Sequence, residues 1–306
     1  MKTVDLIVPV FNEQENIGKL INAIQTVFEG IQYDYKIILV NDGSSDKTLE
    51  VIKALANRND KINYISFSRN FGHQNALKAG LDKSTADCAI SLDGDMQHPP
   101  ELIPAIIAKW EEGYDVVYTI RKEGGKEGMM KKTTSSWFYQ VMNSMADLDM
   151  EEGTADFRLV SKQVVDVLRD LTEHELFFRG LVKWMGFSQI GIEYIPNERL
   201  WGKSKYTLNK MVRFALTGIT SFSTKPLYVA AYLGFFFSIA SLLYFPYALY
   251  SYFFGTTLSG WTSVIVTIAF FGGLQLCILG IIGLYLGKVF MQVKHRPLYI
   301  IKESNI

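Results

Sequence analysis

Two stretches without a charged residue, Leu227–Phe254 and Trp261–Gly287, restrict this chain more than anything else in it. A helix needs roughly 20 apolar residues to cross the hydrocarbon of a bilayer, and each stretch is longer than that. Two buried core helices are the alternative, but so much uncharged length argues against them. The sequence predicts two membrane spans. Pro246 is expected to kink the first, and Gly272, Gly273, Gly280, Gly283 and Gly287 let helices approach closely along the second.

The flanking charges set the expected orientation. Lys203, Lys205, Lys210, Arg213 and Lys225 precede the first span, and Lys288, Lys294, Arg296 and Lys302 follow the second. The connector Ser251–Thr262 carries none. An excess of Lys and Arg marks the cytoplasmic side, so both ends are expected there, at the inner or plasma membrane, with a short external hairpin. Between Thr207 and Ser223, six apolar residues (Leu208, Met211, Val212, Ala215, Leu216 and Ile219) share one helix face, with Lys210 and Arg213 off it. That pattern just ahead of a span suits a helix lying in the bilayer interface. The opening MKTVDLIVPVF has neither the h-region nor the cleavage site of a signal peptide, in keeping with a cytoplasmic first part.

Before the spans, strand and helix alternate. Val4–Phe11 is a continuous apolar run, suited to a strand buried on both faces of a parallel sheet. Asn12 is placed to cap a helix whose stripe is Ile17, Leu20, Ile21, Ile24 and Phe28. Tyr35–Val40 is a second strand, ending in Asn41-Asp42-Gly43-Ser44-Ser45-Asp46, with a helix from about Lys47 to Asn57. Ile62–Phe67, the polar turn SRNFGHQ and a helix through Leu81 come next, then strand Asp87–Leu92, a helix over Glu101–Trp110 and strand Asp115–Thr119. Such βαβ alternation predicts an α/β, mostly parallel sheet with ligands at the carboxyl ends of its strands. Lys122–Lys132 is a Gly-rich charged loop, Gly153–Ser161 puts Asp156 at a turn before an apolar stretch, and Ser188–Ile195 reads as a further strand.

The polar turn with the most chemistry in it is Ser91–Glu101, SLDGDMQHPPE. A buried strand ends here in two carboxylates one residue apart. In an extended segment, residues i and i+2 point the same way, so Asp93 and Asp95 can face one hard cation. Gln97 and His98 follow at a spacing suited to complete its shell.

Composition removes some alternatives. Thirty-one Lys and Arg balance thirty-one Asp and Glu, so the chain lacks the basic excess of a general nucleic-acid binder. Cys88 and Cys277 form no CxxC or Cys/His spacing and are read as reduced core residues, with no zinc site.

Taken together, PVFNE (Pro9–Glu13), VNDGSSDKT (Val40–Thr48), SRNFGH (Ser68–His73), DGDMQHPPE (Asp93–Glu101) and GTADFRL (Gly153–Leu159) resemble family 2 glycosyltransferases of the GT-A fold. Within these, the chain looks most like the polyprenyl-phosphate glycosyltransferases, a group that includes bactoprenol glucosyltransferases and dolichyl-phosphate mannose synthases. The resemblance implies a Rossmann-like GT-A domain over residues 1–200, a juxtamembrane amphipathic segment over 201–225, a two-helix membrane hairpin over 226–290 and a cytoplasmic tail over 291–306. It implies inverting transfer of a hexose from a nucleotide-sugar to undecaprenyl phosphate. UDP-glucose is the preferred donor, with GDP-mannose and UDP-N-acetylhexosamine as alternatives. A homo-oligomer, with a tetramer as the candidate, is also expected.

Carried onto this sequence, the family pattern places Pro9, Glu13, Asp42, Asp93, Asp95 and Arg121 around the nucleotide-sugar; on local sequence alone Asp42 reads equally as a turn-forming residue and Glu13 equally as the start of a helix. Asp93, Asp95 and Gln97 would hold Mg²⁺ or Mn²⁺. Asp156 matches the residue usually given as general base; alternatively it orients the acceptor or a basic partner, or pairs with Arg158. Arg199, Lys203 and Lys205 are the candidates for the acceptor phosphate, the lysines serving equally well against anionic headgroups. His73, His98, His174 and His295 form no Ser/His/Asp order, so none receives a nucleophilic role. A processive polysaccharide synthase would carry Q-x-x-R-W, which is absent here. A membrane-anchored scaffold on a degenerate transferase fold is opposed by intact Asp42, Asp93, Asp95 and Asp156. A flippase would need intramembrane charge, and the spans carry none.

Overall fold

The computed structural model describes residues 1–122, 151, 153–195, 218–254 and 260–306. They fall into two compact units. The first comprises the described parts of Met1–Ser144, Leu148–Ala215 and Pro297–Ile306, and the second those of Leu216–Arg296.

The first unit is built on β1 (Thr3–Val10), α1 (Ile17–Glu29), β2 (Asp34–Asn41), α2 (Thr48–Ala56), β3 (Ile62–Phe67), α3 (His73–Lys83) and β4 (Cys88–Ser91). A 3-10 turn at Pro100–Leu102 leads into α4 (Ile103–Glu111) and β5 (Val116–Arg121). Beyond Gly153 come β6 (Thr154–Ser161), α5 (Lys162–Asp170), α6 (Phe178–Trp184) and β7 (Gln189–Tyr194), and after the second unit β8 (Ile301–Ser304). The eight strands form one sheet in the order β7-β5-β6-β4-β1-β2-β3-β8. Its centre, β4-β1-β2-β3, is parallel, as the alternation of strand and helix requires. β6 runs antiparallel between β4 and β5, and β8 runs antiparallel along β3.

The strands read as apolar runs because both faces of the sheet are covered. Residues Val4–Val10 are all buried. On one face α1 buries Ile17, Leu20, Ile21, Ile24 and Phe28, the stripe its periodicity predicts. Burying each such side chain contributes about 1.5–3 kcal/mol. On the other face α3 lies so close to the sheet that a Cβ on Gly80 would sit 2.2 Å from Ile7 Cγ2. Pro9 falls beyond the β1–β4 ladder, which ends at Ile7↔Ser91, so its missing N–H costs no bond to β4.

Two local expectations are corrected. Asn12 does not cap α1: that helix begins at Ile17 after Asn16, and Asn12 sits at φ 58°. Its Oδ1 instead accepts the Ser45 N–H at 2.9 Å, stitching the loop after β1 to the loop after β2. Asp156 lies not at a turn but at the third position of β6. The polar residues of TADFR disguise a strand whose apolar members, Ala155, Phe157 and Leu159, all face one side.

In the second unit, α7 (Lys225–Phe254, with Pro246 inside it) and α8 (Trp261–Val293) are both long and apolar enough to cross a membrane. Phe237 of α7 meets Phe270 and Phe271 of α8 with ring centroids 5.9 and 5.5 Å apart. Most other side chains on the two helices are exposed apolar groups, Leu242 and Leu276 at 76% and 71% among them.

Candidate active site

The site forms where the carboxyl ends of β1, β2 and β4 meet the start of β6. Because β6 is antiparallel to β4 with Ser91 opposite Arg158, Asp156 lies beside the loop that follows β4. The Ser91 hydroxyl locks this junction by donating to the Asp156 carbonyl at 2.5 Å.

Asp93, Asp95 and Gln97 are all half-buried in that loop. The Asp95 carboxylate accepts the Gln97 N–H at 3.1 Å, a local Asx-type bond. His98 is not placed as a metal ligand. It is 5% exposed and stacks on Phe157 at 5.2 Å. Its Nδ1 accepts the Asp93 backbone N–H at 3.1 Å, so Nε2 carries the hydrogen, 3.7 Å from Asp93 Oδ2. From the other side, His73 at the start of α3 brings Nε2 to 3.4 Å from Asp93 Oδ1 and 3.9 Å from Asp156 Oδ2. Both histidines thus face Asp93; the spacing points to His98 as a ligand, and nothing local points to His73.

Asp156 has a partner that the sequence reading missed. Arg179 of α6 grips it with two bonds, Nε to Oδ1 at 2.9 Å and Nη2 to Oδ2 at 3.0 Å. Arg158 is farther away, Nη2 lying 3.6 Å from Oδ1. Burial alone would push the Asp156 carboxyl up, but Arg179, Arg158 and His73 outweigh it and hold the group well below the usual carboxylate range. Arg158 is itself almost fully buried, and burial lowers it to about 10. The signal available for Arg179 was a lone arginine inside the apolar run LFFRGLV, where a buried cation requires a carboxylate.

Asp42 is buried at the end of β2, and its carboxylate receives the N–H of Phe71 at 2.6 Å and of Gly72 at 2.9 Å. It thereby pins the loop Ser68–Gly72 over the end of the sheet. Gly43 beneath that loop has φ 67°, and a Cβ there would lie 2.3 Å from the Arg69 carbonyl carbon. Arg69 braces the turn, its guanidinium 4.0 Å over the Phe71 ring. Asp46 accepts the Thr48 N–H at 3.0 Å just before α2, a local bond two residues on; the N-cap position of that helix is Lys47. Glu13 accepts the Asn16 side-chain amide at 2.7 Å at the start of α1. Arg121 closes β5, its carbonyl oxygen 2.8 Å from where a Cβ on Gly153 would sit. Tyr194 ends the neighbouring β7, and its hydroxyl gathers the site's charges. Burial pushes it up to about 12, Arg121 and Arg179 opposing while Asp93 and Asp95 reinforce. Arg199, Lys203 and Lys205 lie outside the described residues.

Among the described residues, no three His, Cys, Asp or Glu side chains are gathered as a closed metal cage. Asp93 and Asp95 offer hard oxygen donors in a half-exposed loop after β4. This fits a divalent cation that takes one or two carboxylates and leaves the rest of its shell to phosphate and water.

Comparison with known proteins decides the family. The family model described as Glycosyl transferase family 2 matches residues 5–169. The chain belongs to this family. It is a glycosyltransferase, and its sheet is that of an α/β GT-A domain. The family 2 chain is 41% identical over 300 residues to the glycosyltransferase YkcC of Bacillus subtilis (strain 168), covering 98% of this chain and 93% of that one. It is also 41% identical over 303 residues to the SfII prophage-derived bactoprenol glucosyl transferase of Shigella flexneri, covering 99% and 98%. With the prophage bactoprenol glucosyl transferase homolog of Escherichia coli (strain K12), identity is 38% over 301 residues, 98% of each chain. Among solved structures, mannosyl-3-phosphoglycerate synthase from Rubrobacter xylanophilus superposes with a TM-score of 0.48 at 15% identity, over 71% of each chain.

Proposed function

We propose that this glycosyltransferase moves a hexose, glucose from UDP-glucose in the preferred reading, onto undecaprenyl phosphate at the cytoplasmic face of a membrane, inverting the anomeric centre. The observation that carries the reading is the pairing of Asp93 and Asp95 at the end of β4 with Asp156, fixed by Arg179, at the start of β6. Full-length similarity to proteins named bactoprenol glucosyl transferase supports the lipid acceptor. So do two helices whose exposed apolar side chains suit lipid better than water.

The donor nucleotide lies along Pro9, Glu13 and Asp42, with its diphosphate toward Asp93, Asp95 and Arg121. Asp93, Asp95 and the Gln97 amide oxygen would hold Mg²⁺ or Mn²⁺, which neutralises the charge that develops on the departing diphosphate. Arg121, Arg199, Lys203 and Lys205 bring positive charge to a reaction in which two anions meet. Arginine matches phosphate with a planar fork and lysine with a point charge. The acceptor's phosphate has its second pKa near 6, so at neutral pH it is already mostly dianionic and needs no strong base. A carboxylate held as low as Asp156 is a poor proton acceptor. Its role is to orient, fixing Arg179 by two bonds and facing His73, whose Nε2 lies 3.4 Å from Asp93 Oδ1. In-line attack by a phosphate oxygen on an α-linked donor gives a β-linked lipid product.

The test is to incubate the purified full chain in detergent with undecaprenyl phosphate, Mn²⁺ and UDP-glucose, GDP-mannose or UDP-N-acetylglucosamine in turn, reading the lipid by mass spectrometry. A hexose-sized mass gain with one donor, lost in Asp95→Ala, is the expected result, and NMR of the product reads the anomer. No gain with any donor, in protein that binds nucleotide, would overturn the acceptor. No nucleotide binding at all would leave the scaffold reading standing.

A further inference from the structure

The segment after the second span does more than end the chain described. Residues 297–306 belong to the catalytic unit, with only Lys294–Arg296 between them and α8 in the sequence. β8 pairs with β3 from Ile65↔Ser304 to Phe67↔Ile301, with a register shift between Ser66 and Phe67. The ladder is locked at its far end, where Tyr64 N–H donates to Asn305 Oδ1 at 2.6 Å and Asn305 N–H to the Tyr64 carbonyl at 3.2 Å. At the near end the Ser68 N–H donates to the Ile300 carbonyl at 3.0 Å, so the pairing runs into the loop Ser68–Gly72. Tyr299 ties this end to α3, its hydroxyl donating to Asp82 Oδ2 at 2.8 Å. Its ring stacks on Phe67 at 5.1 Å and 12°. Phe67 in turn meets Phe71 edge-on at 5.7 Å, and Phe71 is the residue whose N–H Asp42 holds. A continuous line of contacts thus runs from Tyr299 through Phe67 and Phe71 to Asp42.

We propose that Tyr299 is a positioning residue for the nucleotide-sugar donor, acting through Phe67 and Phe71 to hold the Ser68–Gly72 loop against Asp42. This rests on the reading that places the nucleotide at Asp42. The loop then forms one wall of the donor site and the tail keeps it in its binding geometry. The nucleotide is preorganised for, while the chemistry at Asp93 and Asp95 is not touched. The expected signature is a rise in donor KM with kcat preserved, because an unheld loop must be ordered by the ligand itself.

The experiment uses the full chain in detergent. It measures the Kd of UDP and GDP by calorimetry, donor KM and kcat by lipid mass spectrometry, and thermal melting. Tyr299→Ala is expected to raise the Kd of whichever nucleotide the wild type binds, and the matching donor KM, about three- to tenfold, the worth of an aromatic pair, with kcat at saturating donor within about twofold. Tyr299→Phe keeps the stack and is expected to stay within about twofold throughout. Tyr299→Leu keeps apolar cover on Phe67 without the flat stack; it is expected to show the rise even if the alanine variant does not fold. Unchanged Kd in Tyr299→Leu would overturn the proposal, as would a fall in kcat that tracks melted protein with KM unmoved. Wild-type protein that binds neither nucleotide would sink the donor reading and the proposal with it, whereas wild-type binding beside unmoved variants sinks only the role of Tyr299.

Discussion

Asp156→Asn separates a proton acceptor from an orienting carboxylate. The substitution keeps the shape and one accepting oxygen but removes the charge that Arg179 grips at 2.9 and 3.0 Å and that Arg158 faces at 3.6 Å. Breaking a fully buried pair by removing one partner costs about 3–5 kcal/mol. Here the side chains are 14% and 23% exposed and one hydrogen bond survives, so we expect about 2 kcal/mol. For a unit of this size that is a fall of roughly 4–8 °C in Tm. The pH dependence is the sharper reading. The folded-state pKa of Asp156 is depressed. Its contribution to stability is therefore fully present above the unfolded value of about 3.9, and is lost only as pH falls through the folded one. Between pH 5 and 9 it stays charged and contributes no limb to the rate. The limb expected belongs to the acceptor phosphate: with a pKa near 6, about a tenth is dianionic at pH 5, so the rate there is about tenfold below its plateau. Asp156→Asn should keep that limb in place and lower kcat/KM by roughly tenfold or less. The assay is kcat/KM for undecaprenyl phosphate from pH 5 to 9 beside the melting curve. A loss of about 10²–10⁴ in folded protein, with the limb abolished, is what a general base would give and would refute this reasoning.

Gly43→Ala forces a Cβ to within 2.3 Å of the Arg69 backbone at φ 67°, so it should lower Tm by several degrees and weaken UDP binding together, read by melting and calorimetry. Chelation with EDTA should stop hexose transfer yet move Tm by less than about 3 °C, because two half-exposed loop carboxylates do not hold the fold; Mn²⁺ or Mg²⁺ should restore the rate. Lys53→Met removes the 2.7 Å ion pair with Glu303, whose side chains are 40% and 32% exposed, and should leave the melting curve nearly unchanged because solvent screens the pair.

What could be read from the sequence depended on how local its cause was. The apolar runs of β1 and β2 and the stripe of α1 are dictated by period and burial, and they fold as the pattern requires. Asp93 and Asp95 stood out because a buried strand ended in them. Asp156 was found by motif but misplaced, although polar and apolar residues alternate strictly from Thr154 to Leu159, the pattern of a strand with one buried face. Arg179 lies 23 residues from Asp156, and His73 lies 20 from Asp93; each meets its carboxylate only because α6 and α3 pack beside the ends of β6 and β4. Likewise nothing local in IKES predicts a strand, for its partner β3 lies more than 200 residues earlier. Non-local pairings of this kind leave no periodicity to read.

That late pairing has a consequence for how the protein is made. β3 is complete once Phe67 has been synthesised, but the strand that covers its edge begins only at Ile301. At the usual 5–20 residues per second, roughly 12–47 s pass before that strand exists, and both apolar helices must be translated in the interval. Throughout it, β3 presents open backbone donors and acceptors, a surface on which another nascent copy can pair. A version cut off after the second span would carry that open edge permanently, so its failure would show first as aggregation during expression rather than as an inactive but soluble enzyme.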